Sequence, residues 1–212
     1  MNFSGRKKLL IILNRLVVGG IATDVISTAY YLQHEFDNLI LYGMPSKGET
    51  EALFLKEKYP QLQLKQLKYF KRSVHPLNDW FAWKEVYNEI LSFSPHIVHT
   101  HAAKAGLLGR VAAYKAKVPC IVHTFHGHLF HSYFHPIFSK ALVYMERYLS
   151  RISSTIVAIS HKQWEDLALH YKIANPSRIT LLPLGIDNNT PSPFSTNRIS
   201  FREKYHIPST TV

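Results

Sequence analysis

Two short stretches carry most of the side chains able to do chemistry. Residues 98–106, VHTHAAKAG, hold His99 and His101 beside Thr100 and Lys104. Residues 122–131, VHTFHGHLFH, hold His123, His126, His128 and His131. Imidazoles in such numbers admit metal ligation, proton transfer, or hydrogen bonding to a hydroxyl or phosphate oxygen. The spacing speaks against metal. HExxH order is missing, and Cys120 is the only cysteine, so the paired thiolates of structural zinc sites are not available. A strand running into a loop is expected to scatter the second set of rings, and no metal ligand is assigned.

The histidines separate by position. His99 and His101 alternate along an apolar run, so in a strand they share one face with Thr100 opposite. His101 lies nearest the end of that run and is a candidate for substrate contact, whereas His99 and His123 read as architectural. His126 falls just beyond the second run and is followed by Gly127, which lets the chain turn away. An imidazole there can donate to a sugar hydroxyl or a phosphate oxygen, and His126 is the catalytic candidate. A catalytic base would also need a partner to orient its other nitrogen. Lys104 opens a helical pattern and could meet an anion; a solvated first-turn lysine is the plainer reading.

A third constellation is VVGG, residues 17–20. Gly19 and Gly20 end a strand-like run and begin a helix-like one, where flexible backbone and helix-terminal amides suit an anion. The pattern is not GxGxxG, and on its own an ordinary β–α turn is equally consistent with it. There is no GxSxG, Walker loop or DxD. Glu146 and Arg147 fall inside a helix, where surface pairing is expected. Residues 67–87, LKYFKRSVHPLNDWFAWKEVY, mix basic and aromatic side chains. Trp80, Trp83 and Tyr87 recur at helical spacing, as core-facing residues do; Trp83 is assigned to the core, and Phe70 to Arg72 are left open to a membrane contact.

The elements that must position these groups alternate along the chain. Strands are predicted near 7–14, 37–43, 61–67, 96–100, 119–125, 154–160 and 178–187. Helices are predicted near 19–36, 47–60, 78–95, 104–117, 135–153 and 161–171, with a short one at 198–206. In the first helix Ile21, Val25, Ala29 and Leu32 recur at helical spacing. Strands alternating with helices imply an open, doubly wound, mostly parallel α/β sheet of Rossmann-like type. In such sheets ligands collect at the carboxyl ends of strands, where both histidine sets and VVGG fall. Residues 1–187 are expected to form this domain. Residues 188–212 begin with the turn-rich NNTPSPFSTN and read as a linker and the start of something further.

Composition limits the functional classes. The chain has 212 residues, 46% hydrophobic and 18% charged, which describes a globular domain. A net charge of +11 favours anionic partners. Nucleic acid is not expected, because no zinc-finger, RNP or basic-helix pattern is present. The apolar run near the amino terminus is broken by Asn14 and Arg15, and no apolar stretch approaches the ~20 residues that cross a bilayer. A cytoplasmic protein, peripheral at the inner face of the membrane, is the expected setting.

With these residues assembled, the chain resembles the amino-terminal domain of family 4 nucleotide-sugar glycosyltransferases. The resemblance spans nearly the whole chain: residues 17–32, VVGGIATDVISTAYYL; residues 95–130, PHIVHTHAAKAGLLGRVAAYKAKVPCIVHTFHGHLF; IVAIS at 156–160; and ITLLPLGID at 179–187. The resemblance implies the amino-terminal half of a GT-B architecture, in which two Rossmann-like domains face each other. It implies sugar transfer from a nucleotide-sugar to a sugar or lipid-linked acceptor, in polysaccharide or glycoconjugate synthesis. Anomeric configuration would be retained and no metal cofactor required. Gly19 and Gly20 would approach the donor diphosphate, His126 the transferred sugar or its phosphate, and His101 would line the acceptor side, with Lys104 and Gly127 nearby. The family's carboxyl-terminal domain, with its phosphate clamp, is not found in these residues, so the chain alone is expected to be catalytically incomplete. Two other classes remain open. One is a non-catalytic assembly module that docks a separate donor domain or a membrane-bound acceptor; the other is a histidine-ligated metal hydrolase.

Overall fold

The structure, a computed structural model, describes residues 5–127, 136–185 and 194–208, without the side chains of 136–138 and 194–198. His128, His131, and the expected linker with its boundary at 187 lie outside the described residues. Seven strands form one sheet: β1 (Lys7–Arg15), β2 (Phe36–Gly43), β3 (Gln63–Gln66), β4 (Ile97–His101), β5 (Cys120–Phe125), β6 (Thr155–Ala158) and β7 (Ile179–Leu181). Their spatial order is β3-β2-β1-β4-β5-β6-β7, and every pairing is parallel. The helices are α1 (Gly20–Leu32), α2 (Leu53–Lys58), α3 (Pro76–Phe93), α4 (Ala103–Lys115), α5 (Pro136–Arg151), α6 (His161–Glu165) and α7 (Phe194–Lys204). The expected open, doubly wound α/β sheet is the one observed. Its order reverses between β1 and β4, the point beyond whose strand ends such sheets bind ligands.

The unbroken apolar run of β1 exists because both faces of that strand are covered. Leu9, Ile11 and Leu13 pack with Ala22, Val25, Ile26 and Ala29 of α1, while Leu10 and Ile12 pack with Ala82, Val86 and Ile90 of α3 and Ala105, Leu108 and Ala112 of α4. A smaller cluster joins Phe125, Ile156, Ala158, Leu167 and Ile179 at the other end of the sheet.

Several expectations need correction. Val25 and Ala29 are buried and Leu32 packs against the core as expected, but Ile21 stands exposed at the start of α1, where Ala22 takes the buried position. The second helix contracts to α2, and the sixth passes from α-helix into a π-helical turn over Asp166–His170. Phe70 is wholly buried, so it has no membrane role, and its carbonyl accepts from the Met44 amide. Trp80 is exposed, whereas Trp83 packs against the core as expected. Gly43 is demanded by this crossing: a Cβ there would come within 2.2 Å of the Phe70 carbonyl oxygen.

Glu146 is the largest departure. It is buried, and its carboxylate takes the Nη2 of the fully buried Arg110 at 2.7 Å, tying α5 to α4. Arg110 also donates from Nε to the Gly106 carbonyl at 2.8 Å. Arg147 points elsewhere and donates through Nε and Nη2 to the Tyr171 carbonyl. Removing one member of a buried pair leaves the other charge uncompensated, at a cost of about 3–5 kcal/mol. Glu146→Ala is therefore expected to lose that much stability in urea unfolding, and Arg110→Met in the same chain is expected to restore most of it.

Candidate functional site

The site is assembled from the carboxyl ends of β1, β4 and β5. Leu13 of β1 is in register with His101 of β4, and His101 with Thr124 of β5, so the turns leaving these strands emerge side by side. The strand pleat sorts the side chains. Thr100 is buried toward α4, where its hydroxyl meets Nδ1 of His123 at 2.9 Å. His99 and His101 point the other way, their ring centroids 4.1 Å apart. The Nε2 of His99 meets the Thr124 hydroxyl at 2.7 Å.

The close fit of α4 on this part of the sheet depends on small residues. A Cβ on Gly106 would lie 2.5 Å from Cε1 of His123, and one on Gly109 would lie 2.6 Å from Cγ2 of Thr100. The first residue before α4, Ala102, takes φ 69°, a left-handed conformation costly for a residue with a Cβ. Its side chain offers no cap, and Asn14 at the end of β1 supplies one instead, its Oδ1 accepting from the Ala105 amide at 2.7 Å. The turn that presents His101 is thus held by the neighbouring strand.

His101 and His126 converge. Nδ1 of His101 lies 2.9 Å from Nε2 of His126, so one ring from each histidine set meets across the two strands. Within the second set, His123 turns into the core below α4, while His126 crosses to the ring on β4. The remaining nitrogen of His126, Nδ1, is buried without a hydrogen-bond partner among the described residues.

Asp24 joins this pair. One carboxylate oxygen of Asp24 and one ring nitrogen each of His101 and His126 all lie within 4.8 Å of one another. Sequence reasoning missed Asp24, although a signal existed: it is the one acidic or basic residue, histidine aside, between Arg15 and Glu35. Spacing along α1 does not say which way that face looks until the helix is docked on the sheet.

Electrostatics here are governed by loss of water. Burial holds the His99 and His126 rings down to a pKa of about 4, and nearby His126 adds to the effect on His99. His101 and His123 are pushed well below the ordinary imidazole value, again by burial first. Neighbouring His99 adds most to the effect on His101, and the Arg110 charge to that on His123. Desolvation acts on Asp24 in the opposite direction and raises its pKa. At neutral pH the imidazoles are therefore uncharged.

The glycine pair lies on the same rim. Gly20 begins α1, one turn before Asp24, and Gly19 precedes it in an extended conformation with φ 161°. Neither is required by packing: a Cβ on Gly19, Gly20 or Gly127 would meet nothing within 4 Å. The three positions border open space. Lys104 is not part of this wall. Its ammonium is tied to Asp79 Oδ1 at 2.5 Å and to the Ser73 carbonyl at 2.6 Å, with 11% of the side chain exposed. It is neither the solvated lysine nor the free anion ligand that the sequence allowed, and it clamps α4 to the start of α3.

Residues 18–190 match Glycosyltransferase Family 4. The chain belongs to that family. Among curated relatives, an Escherichia coli UDP-Gal:alpha-D-GlcNAc-diphosphoundecaprenol alpha-1,3-galactosyltransferase is 28% identical over 133 residues, which is 63% of this chain and 34% of the relative. A solved glycosyltransferase from Rickettsia africae ESF-5 superposes with a TM-score of 0.67 at 20% identity, over 97% of this chain and 51% of its own. The lipopolysaccharide outer core galactosyltransferase WaaB, in its apo form, gives a TM-score of 0.62 at 17% identity, over 86% of this chain and 47% of its own. The chain spans about half the length of these structures and a third of the curated relative. The observed fold matches that of the glycosyltransferase structures, as expected for the amino-terminal half of a GT-B protein.

The neutral imidazoles carry a pH signature. The folded protein keeps the His99 and His126 rings uncharged to about pH 4, while the unfolded chain protonates its histidines near 6.5. Between these values unfolding takes up protons, so stability is fully present above pH 6.5 and is lost as pH falls toward 4. Each such ring adds up to about 1.4 kcal/mol per pH unit to the slope. Urea midpoints measured from pH 7.5 to 4.5 are expected to fall throughout the lower part of this range and to stay flat from 7.5 to 7.

Proposed function

We propose that this chain forms the acceptor-side wall of a glycosyltransferase that moves a hexosyl group from a nucleotide-sugar to a sugar or lipid-linked acceptor. The observation that carries this reading is the meeting of His126 and His101 with Asp24, which lies one turn along α1 from Gly20, beside the sheet's reversal point in a chain of Family 4. The E. coli relative, whose name specifies a UDP-galactose donor and a diphosphoundecaprenol-linked acceptor, supports the substrate class and a role in glycoconjugate synthesis. Residues 1–187 would constitute the domain, and 188–212 would lead into the one that closes the crevice.

In this mechanism the exposed amides near Gly19 and Gly20 approach the donor diphosphate. Their missing side chains leave the backbone accessible, and the helix start favours negative charge. His126 uses its unpartnered Nδ1 toward the transferred sugar or its phosphate, while Nε2 remains engaged with His101. A neutral ring in a dry wall can hydrogen-bond there without adding a competing positive charge. The bond from the anomeric carbon to the donor phosphate breaks through an oxocarbenium-like transition state. The acceptor oxygen bonds to the same face of that carbon, and its proton passes to the departing phosphate oxygen, giving retention. No metal is needed for this sequence, since charge on the leaving diphosphate is neutralised from the opposite domain.

Access for a lipid-linked acceptor fits the surface beside the crevice. Val74, Leu77, Trp80 and Phe81 are exposed around the start of α3, and Lys71, Arg72 and Lys84, close to them in sequence, are exposed too. The Lys84 ammonium sits 3.8 Å over the Trp80 ring. Exposed aromatics among basic groups suit the interface of an anionic bilayer, which agrees with a cytoplasmic protein peripheral to the inner membrane face. Among the described residues no helix is long and apolar enough to cross a membrane.

The decisive comparison uses a chain that carries both domains. Gly20→Ala adds a methyl group into open space and is expected to leave the melting temperature within about 1 °C while lowering sugar transfer at least tenfold. His126→Ala is expected to behave likewise, with a larger loss in kcat. Unchanged transfer from a panel of nucleotide-sugars in both variants would remove the reading, and a collapsed melting temperature would assign these residues to the scaffold.

A further inference from the structure

We infer that Asp24, His101 and His126 form a binding site for one divalent transition-metal ion of the zinc and cobalt class. The three residues come from α1, β4 and the turn after β5, and their ligating atoms lie within 4.8 Å of one another. Zinc holds imidazole nitrogen and carboxylate oxygen at about 2.0–2.2 Å, so atoms sharing one ion stand roughly 3–4 Å apart. The His101 and His126 nitrogens, at 2.9 Å, are already near that spacing, and the Asp24 carboxylate oxygen stands within 4.8 Å of both. Two imidazoles with one carboxylate select zinc, cobalt or iron over magnesium or calcium, which prefer all-oxygen sites.

Protonation favours the same occupant. Burial keeps both rings neutral at physiological pH, so neither must lose a net positive charge to bind. In the free cluster a single proton lies between His101 Nδ1 and His126 Nε2. A metal bound to both nitrogens sends that proton to the far nitrogen of the ring that carried it. On His126 this is Nδ1, which is buried without a partner among the described residues. The half-buried Asp24 carboxyl, made harder to ionise by desolvation, is stabilised as the anion by a cation at this point. No local motif announces the site because each ligand arrives from a different element.

Binding itself does not depend on sugar transfer. One consequence does rest on the proposed function: an ion here takes His126 away from the sugar, so zinc is expected to inhibit transfer rather than support it.

Cobalt(II) and zinc(II) titrations of the purified 212-residue chain test the site. One equivalent of cobalt is expected to give visible d–d absorption, which one equivalent of zinc abolishes. Asp24→Asn, His101→Ala and His126→Ala are each expected to weaken cobalt binding at least tenfold, since changes outside the ligand shell alone weaken such sites by about 10–100-fold. His34→Ala, on the exposed far end of the chain's first helical connection, is expected to change nothing. In case a variant fails to fold, imidazole nitrogen NMR of the unaltered chain gives a second readout, with zinc shifting His101 and His126 and leaving His34 in place. Absence of a stoichiometric cobalt band, retention of the band in all three variants, or zinc shifts confined to exposed histidines would each overturn the inference. Failure here with intact loss of transfer in Gly20→Ala leaves the glycosyltransferase reading standing.

Discussion

Removal of water from the imidazoles at the ends of β4 and β5 is the constraint on which the rest depends. A charged ring inside this packed rim would lose its hydration, and that loss is the largest influence on all four rings, even with the Asp24 carboxyl beside His101 and His126. The rings are therefore neutral, and neutral rings must find partners as donor on one nitrogen and acceptor on the other. His99 finds Thr124, His123 finds Thr100, and His101 finds His126. These pairings link the two strand ends and leave His126 Nδ1, like His123 Nε2 below α4, buried without a partner among the described residues. A polar atom with that status is the natural place for something outside the chain to bind.

The architecture around the rings serves the same end. Small residues in α4 let the helix sit low enough to cover Thr100 and His123, and the buried Arg110–Glu146 pair fixes α5 against it. Asn14 caps the strained turn at Ala102, and Lys104 locks that helix start to Asp79. With the surrounding frame held from three sides, His101 and His126 meet in one arrangement. Gly19, Gly20 and Gly127 then leave the approach to that arrangement unobstructed.

Much of the fold was legible in the sequence, because a strand covered on both faces must be apolar throughout. The run in β1 declares itself for that reason, and the alternation of strands with helices follows. The Family 4 resemblance was legible too, since its segments span several elements. Pairings between distant elements were not. Glu146 looks like a surface acid until α5 is laid beside Arg110, and Lys104 looks solvated until α3 begins next to it. Phe70, set among basic residues, has the local composition of an interfacial group, yet the chain path carries it into the core. Asp24 lies beside the buried stripe of α1, and the hydrophobic pattern that located this stripe at Val25 and Ala29 says nothing of what the flank of the helix meets. His101 and His126 are twenty-five residues apart, and only the β4–β5 register brings them together.

Site-resolved nitrogen-15 NMR of the histidine side chains, followed from pH 8 to 4, tests the central claim of a neutral, mutually bonded rim most directly. The account predicts that His99 and His126 hold one neutral tautomer through pH 6 and titrate near 4, with a coupling or shift signature linking His101 Nδ1 to His126 Nε2. A His126 ring that titrates near 6.5, independently of His101, would contradict it.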